Sequence, residues 1–309
     1  MLFTVDHTPV FPIALGGAGI GSHEKQVFFG KVVNDRQAVD TVLYALSHGV
    51  NLLDTSPFYG NSEKKMGLAI REFGNRNSFV LSTKAGTHPQ YKGYTADLFK
   101  RSIESSLKTL GTDYLDIVHI HDPSETDFAK VMDANGGLET LLRLRQEGVI
   151  RHVGLGVRNH ALHRAFMASG FADILLPYLD YNLLKTSASH LLDEARQKNV
   201  PVLMGSPLCM GLLSGRPPLN MAISHYDVTG DVSVNKAHDM YLWCKEKGAN
   251  IQALNFEFIL RQPMISALIT GASSAEEIAE NINAYHCTCA PEITESFFTH
   301  FQIETPFIQ

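Results

Sequence analysis

Phe79-Val-Leu-Ser-Thr-Lys84, then Thr95-Ala-Asp-Leu-Phe-Lys-Arg-Ser-Ile-Glu-Ser-Ser-Leu-Lys-Thr-Leu110-Gly111, then Tyr114-Leu-Asp-Ile-Val-His-Ile-His121 form a short apolar run, an amphipathic stretch and a second short apolar run. The outer runs are short and β-branched, which favours strands over helices. Thr95 stands where a helix N-cap is wanted and Gly111 where a helix stops, so the middle reads as a helix ending at Leu110. Strand, helix and strand in such quick succession make a parallel crossover unit. Working outward, the same alternation places strands at Ile13–Gly17, Val50–Asp54, Phe79–Lys84, Tyr114–His121, His152–Val157, Ile174–Tyr178, Val200–Gly205 and Ala267–Thr270. Asn34 and Asp35 cap a further helix to Ser47, ended by Gly49. Eight such units, with no composition break and no Gly/Ser/Pro linker, predict one closed (β/α)8 TIM barrel over residues 1–309 rather than a doubly wound open sheet.

Composition sets the outer bounds. Hydrophobic residues at 44%, charged residues at 19% and a mean hydropathy of -0.04 exclude a disordered or fibrous chain. A net charge of -6 gives no basic footprint, which argues against nucleic acid or an anionic membrane as partner and for a small-molecule substrate. The N-terminus lacks the basic and apolar stretches of a secretory signal and no apolar span reaches membrane length, so a cytoplasmic protein, monomeric or weakly homo-oligomeric, is expected. The four cysteines, Cys209, Cys244, Cys287 and Cys289, include one Cys-x-Cys pair and no second pair, and read as free thiols. Ser206–Asn235 is longer than a connection needs and is a candidate lid. Lys236–Lys247 reads as an extra helix before Ile251–Arg261, and Phe3–Phe11 as a plug beneath the barrel.

In a barrel of this kind the chemistry sits where strands end. Asp54 with Tyr59, Lys84 and His121 all stand at such ends and can face one mouth. A tyrosine beside an ammonium and an imidazole has a use, because the positive charge favours the phenolate and prepares the ring to exchange a proton with an alcohol. Asp54 then pairs the buried Lys84, and His121 hydrogen-bonds the reacting oxygen. His119 and His121 lie two apart on one strand and so point the same way, which opens a metal reading. The later strand ends supply Arg158, Tyr178 and Ser206 instead of further ligands, so His119 is expected one layer below the site.

Asp54-Thr-Ser-Pro-Phe-Tyr59-Gly, Ser82-Thr-Lys84-Ala-Gly and Leu115-Asp-Ile-Val-His-Ile-His121-Asp resemble the aldo-keto reductase superfamily. The resemblance continues through Gly154-Leu-Gly-Val-Arg158-Asn159, Ser206-Pro-Leu-Cys-Met-Gly-Leu-Leu-Ser-Gly215 and Gly271-Ala-Ser-Ser-Ala-Glu-Glu-Ile-Ala-Glu-Asn281. The His-Asp pair, the Ser-Pro-Leu loop and Ser62-Glu63-Lys64 are similar to the branch oxidising L-galactose, L-fucose and D-arabinose at C1. That resemblance implies a catalytic tetrad of Asp54, Tyr59, Lys84 and His121. It implies that Asn159 holds the nicotinamide amide, that Ser206, Leu208 and Gly211 lie along the pyrophosphate, and that Gly271, Ser273, Glu277 and Asn281 surround the adenosine. Where many relatives have Ser, Gln and a stacking Tyr, this chain has Arg158, Tyr178 and Gly205, which places Tyr178 against the cofactor. Arg158 has two readings, a contact to cofactor phosphate or substrate oxygen and a surface salt bridge. Phe58, His88, Asp122 and Tyr226 are expected to set substrate choice.

The resemblance sets Gly271 and Glu277 where NADP-selective relatives place Lys and Arg, which favours NAD with NADP possible. A carboxylate about 4 Å from a 2′-phosphate costs on the order of 4 kcal/mol per charge pair at an effective dielectric of 20. Alternatively Ser274 and Glu277 form a capping box and Glu277 faces its own helix, still leaving no basic residue for the phosphate. The expected activity is oxidation of a cyclic aldose to a lactone. The alternatives are pyridoxal oxidation, a general aldehyde or ketone reductase, and a nucleotide-sensing regulatory subunit.

Overall fold

The computed structural model describes residues 4–5, 8–21, 32–220 and 233–304. A hairpin of β1 (Thr4–Val5) and β2 (Thr8–Pro9) precedes eight parallel strands: β3 (Ile13–Gly16), β4 (Leu52–Asp54), β5 (Val80–Ala85), β6 (Leu115–His121), β7 (Ile150–Gly156), β8 (Ile174–Leu176), β9 (Val202–Gly205) and β10 (Ile265–Gly271). Each pairs with its chain neighbour and β10 returns to β3, closing the barrel. The helices are α1 (Asp35–Ser47), α2 (Ser62–Phe73), α3 (Ala96–Leu110), α4 (Glu125–Met132), α5 (Gly137–Gln146), α6 (His160–Ala168), α7 (Ser189–Gln197), α8 (Val234–Lys247), α9 (Ile251–Leu260), α10 (Ala275–His286) and α11 (Pro291–His300). Alternate strand residues, among them Ala14, Leu52, Val80, Ile117 and Leu203, fill the barrel interior, while the intervening ones pack outward under the helices.

The expected (β/α)8 barrel is therefore the fold, and the differences are at element ends. Strand Ile174–Tyr178 stops at Leu176 because Pro177 has no N–H for the ladder, and Tyr178 keeps a single bridge to Gly205. Val50 lies outside β4 because its N–H closes the end of α1 on Ala45. Asn34 caps α1 through Gln37 N, whereas Thr95 occupies the cap of α3 without a side-chain hydrogen bond. Ser233 opens the extra helix α8. The N-terminal segment does plug the barrel: Val10, 2% exposed, joins the interior cluster, and Asn51 ties Phe11 N and Pro9 O. Phe3 lies outside the described residues, as do 221–232 of the candidate lid, including Tyr226. Cys209 and Cys244 are buried free thiols, with burial pushing them up to about 11 and about 12. No described helix is long and apolar enough to cross a membrane.

Candidate active site

A cavity of about 310 Å³ opens at the C-terminal ends of the strands, and Asp54, Tyr59, Lys84 and His121 all line it. Asp54 and His121 end β4 and β6, Lys84 is the penultimate residue of β5, and Tyr59 sits in the turn between β4 and α2. Lys84 is 1% exposed. Its Nζ donates to Asp54 Oδ2 at 2.5 Å and to Thr55 O at 2.8 Å, while Ser82 Oγ donates to Asp54 Oδ1 at 2.8 Å. A buried ion pair persists only when its remaining sites are bonded in this way. The same Nζ lies 4.8 Å from the centre of the Tyr59 ring. His121 meets that ring edge-on, with centroids 5.8 Å apart and planes at 90°.

Burial first, then the Lys84 charge, holds His121 well below the usual imidazole range, so the ring is neutral. Thr87 Oγ1 at 2.5 Å and Ser56 Oγ at 3.3 Å serve Nδ1, and the Asp122 carboxylate lies 3.6 Å from Nε2. Hydroxyls on one nitrogen and a carboxylate near the other favour the tautomer protonated at Nε2. His119 is fully buried beside Lys84 in the ladder, one layer below the cavity, where a Gly154 side chain would collide with its ring. Among the described residues no group of three or more His, Cys, Asp or Glu is placed to hold a metal.

The rim is strained. Asp122, Leu179, Ser206 and Met210 line the cavity with φ of 43°, 67°, 51° and 56°, a region that non-glycine residues seldom adopt. Asp122 accepts from Tyr178 Oη at 3.0 Å, and burial raises its carboxyl above the ordinary value. Phe58, 37% exposed, sets its ring edge-on to His121. At Gly205 a Cβ would stand 2.8 Å from Tyr178 Cβ, a close approach of the two chain segments that glycine accommodates. Farther along, Ser206, Leu208, Gly211, Gly271, Ser273, Glu277 and Asn281 line the same cavity. Asn255 anchors this end by donating to Pro207 O at 3.0 Å.

Two expected residues are elsewhere. Asn159 does not line the cavity, because its Oδ1 caps α6 through Ala161 N at 2.9 Å. His88 is turned away: its Nδ1 accepts from Gln90 N and Tyr91 N, and its Nε2 meets Ser105 on α3. Arg158 takes the salt-bridge role, at 3.1 Å from the buried carboxylate of Asp180, which Lys185 also pairs at 2.9 Å. Burial alone would raise Asp180, but His160, Arg158 and Lys185 hold it far below the carboxylate range.

Glu277 lines the cavity and forms part of the foreseen capping box. Its Oε2 accepts from Ser273 N and Ser273 Oγ, each at 2.8 Å, while Ser274 Oγ accepts from Glu277 N. Its Oε1 meets Arg216, which also reaches Glu280. The expectation that no basic residue stands near this end is thus overturned: Arg216, half exposed, lines the cavity. Its signal was its place directly after the Ser206–Gly215 motif. Gln252 was missed too, although an amide inside the apolar run Ile251–Leu260 asks for a partner, which is Asn281.

Comparison with known proteins agrees with this geometry. The model of the aldo/keto reductase family matches residues 12–295. L-galactose dehydrogenase of Arabidopsis thaliana is 30% identical over 88% of this chain and 85% of its own length. The NADH-specific methylglyoxal reductase of Escherichia coli is 29% identical over 81% of this chain and 83% of its own. An aldo-keto reductase from Bacillus halodurans, solved in its holo form, shares the fold at a TM-score of 0.78 and 21% identity, covering 97% of this chain and 95% of its own. With a family match spanning all eight barrel strands and a cavity lined by tyrosine, lysine, aspartate and histidine from successive units, this chain belongs to the aldo/keto reductase family.

Proposed function

We propose that this chain is an NAD-preferring aldose 1-dehydrogenase that oxidises the C1 hydroxyl of a cyclic sugar of the L-galactose, L-fucose or D-arabinose type to a lactone. The observation that carries the reading is the buried Lys84–Asp54 pair set against the Tyr59 ring, with neutral His121 across it. Bound nicotinamide supplies the two-electron acceptor. The cavity fits such a group: it runs from these four residues to the N-terminus of α10, where Gly271 leaves open space and Ser273 is held by Glu277. Tyr59 takes the C1 hydroxyl proton as the C1 hydrogen departs with its bonding electrons, and the ring carbon becomes the lactone carbonyl. Lys84 favours the phenolate that accepts this proton, while His121 Nε2 donates to the substrate oxygen.

Asp122, anchored by Tyr178, gives the substrate end a carboxylate acceptor for sugar hydroxyls, which fits a polyol better than a bare carbonyl. Similarity to L-galactose dehydrogenase supports the same class. A second reading, aldehyde reduction, is favoured by the exposed Phe58 ring beside His121 and by similarity to the methylglyoxal reductase. Reduced-nicotinamide absorbance with aldoses, pyridoxal and simple aldehydes, each with NAD and with NADP, separates them. Turnover of aldehydes without any aldose or pyridoxal oxidation would overturn the proposal; pyridoxal oxidation alone would move it to that hemiacetal.

A further inference from the structure

The end of the cavity farthest from Tyr59 contains an amide relay whose polarity is fixed by the backbone. Gly271 O is an acceptor and nothing else, so the side chain of Asn281 must turn its nitrogen to it, and Nδ2 donates to Gly271 O at 3.3 Å. That leaves Asn281 Oδ1 facing Gln252, whose Nε2 donates to it at 2.5 Å. The orientation of Gln252 follows: its nitrogen is committed and its carbonyl oxygen is the end left over. Among the described residues no donor meets that oxygen, although Gln252 is only 6% exposed and lines the cavity. That oxygen opens to the cavity, where a ligand that brings a donor meets it and one that brings a second acceptor is opposed.

We propose that Gln252 is a specificity-determining residue that selects a 6-amino over a 6-oxo purine at this end of the cavity. The inference rests on the dinucleotide reading given above. A 6-amino purine presents a donor at that position and a 6-oxo purine an acceptor, so the second sets oxygen against Gln252 Oε1. Flipping Gln252 offers no escape, because it would oppose its oxygen to Asn281 Oδ1, and flipping both would oppose Asn281 Oδ1 to Gly271 O.

The test is titration calorimetry of the whole protein with NAD and with nicotinamide hypoxanthine dinucleotide, which differ only by amino against oxo at C6. Wild type is expected to hold the amino form at least about fivefold tighter, the low end of discrimination by a base-edge contact. Gln252→Met, of similar length and compatible with a helix, should bring the two dissociation constants together by weakening NAD. Displacement of bound NAD by ADP against IDP reads the same preference in wild type and stands if the variant does not fold. Equal binding of the two dinucleotides, or a wild-type ratio kept by Gln252→Met, would overturn the proposal. If neither dinucleotide binds, the dinucleotide reading itself fails and this inference with it.

Discussion

Replacing Lys84 by Met separates the two things this ammonium does. It removes a charge 4.8 Å from the centre of the Tyr59 ring. At an effective dielectric of 20, two unit charges at that separation interact by about 3.5 kcal/mol. Because phenolate charge is only partly developed in the transition state, aldose oxidation should fall by about 100-fold. The substitution also strands Asp54, which is 2% exposed and, among the described residues, keeps only the Ser82 hydroxyl as side-chain donor. Removing one partner of a buried pair costs about 3–5 kcal/mol, so the midpoint of urea unfolding should drop markedly. Adding Asp54→Asn removes the unpaired charge and should restore much of that stability without restoring turnover. The assay is NAD reduction under saturating sugar beside urea unfolding of the same three proteins. Turnover within tenfold of wild type in Lys84→Met, or turnover that returns with stability in the double variant, would refute a role for the ammonium in the proton step.

Tyr59→Phe keeps the ring against His121 but removes the hydroxyl, so turnover should fall by at least ~100-fold while calorimetric NAD affinity is unchanged; near wild-type turnover would take Tyr59 out of its role. Acid should destabilise the fold. Burial holds His163 at about 4 against an ordinary 6.5, and His119 and His121 well below that range, so the unfolded chain binds more protons as pH falls below 6.5. From His163 alone the loss is about 2 kcal/mol by pH 5. Glu63, raised by burial, works the other way, its share of stability being lost as pH rises from the ordinary 4.5 through its raised folded value, and unchanged urea midpoints between pH 7.5 and 5 would count against buried neutral imidazoles. Glu277→Gln keeps an acceptor for Ser273 yet releases Arg216 from one of its two carboxylates, so the kcat/KM ratio of NADP to NAD should rise, less so at high salt. An unmoved ratio would leave Glu277 as a helix cap only.

Much of the barrel was readable because each local signal agreed with the global fold. The short runs Val80–Ala85 and Leu115–His121 are too short for helices, and Gly111 closes the helix between them in a left-handed conformation that suits glycine. Strand limits drifted where a backbone group was already used, as at Val50, or missing, as at Pro177. Asp54, Lys84 and His121 were equally legible, since a strand end fixes both where a side chain stands and which way it points, whereas Tyr59, in the turn after β4, was legible only through its motif and those three partners. Loop and cap residues do not have that property. Asn159 follows Arg158 immediately after β7, where an amide can reach into the mouth or cap the next helix, and local hydrogen bonding to Ala161 N decides for the cap. His88 turns back on its own loop through two backbone N–H groups for the same reason.

The cofactor end was hardest to read because its electrostatics depend on a pair 61 residues apart in the chain. A lone Glu277 repels a 2′-phosphate; a Glu277 whose Oε2 is held by Ser273 and whose Oε1 meets Arg216 presents a much smaller field to the same point. Arg216 is 49% exposed in its side chain, and an ion pair so open to solvent is weak and screened, so a competing phosphate can draw the guanidinium away. Glu280 makes that departure harder by holding the second arm of the fork. The proposed preference for NAD then rests on two carboxylates keeping one arginine occupied, rather than on the absence of a cation. It follows that charge removal at Glu280, which lines the same cavity but makes no hydrogen bond to Ser273, should shift cofactor choice in the same direction as at Glu277. A Glu280→Gln variant that leaves the NADP to NAD ratio unmoved, while Glu277→Gln raises it, would locate the effect in direct repulsion and free Arg216 of any part in it.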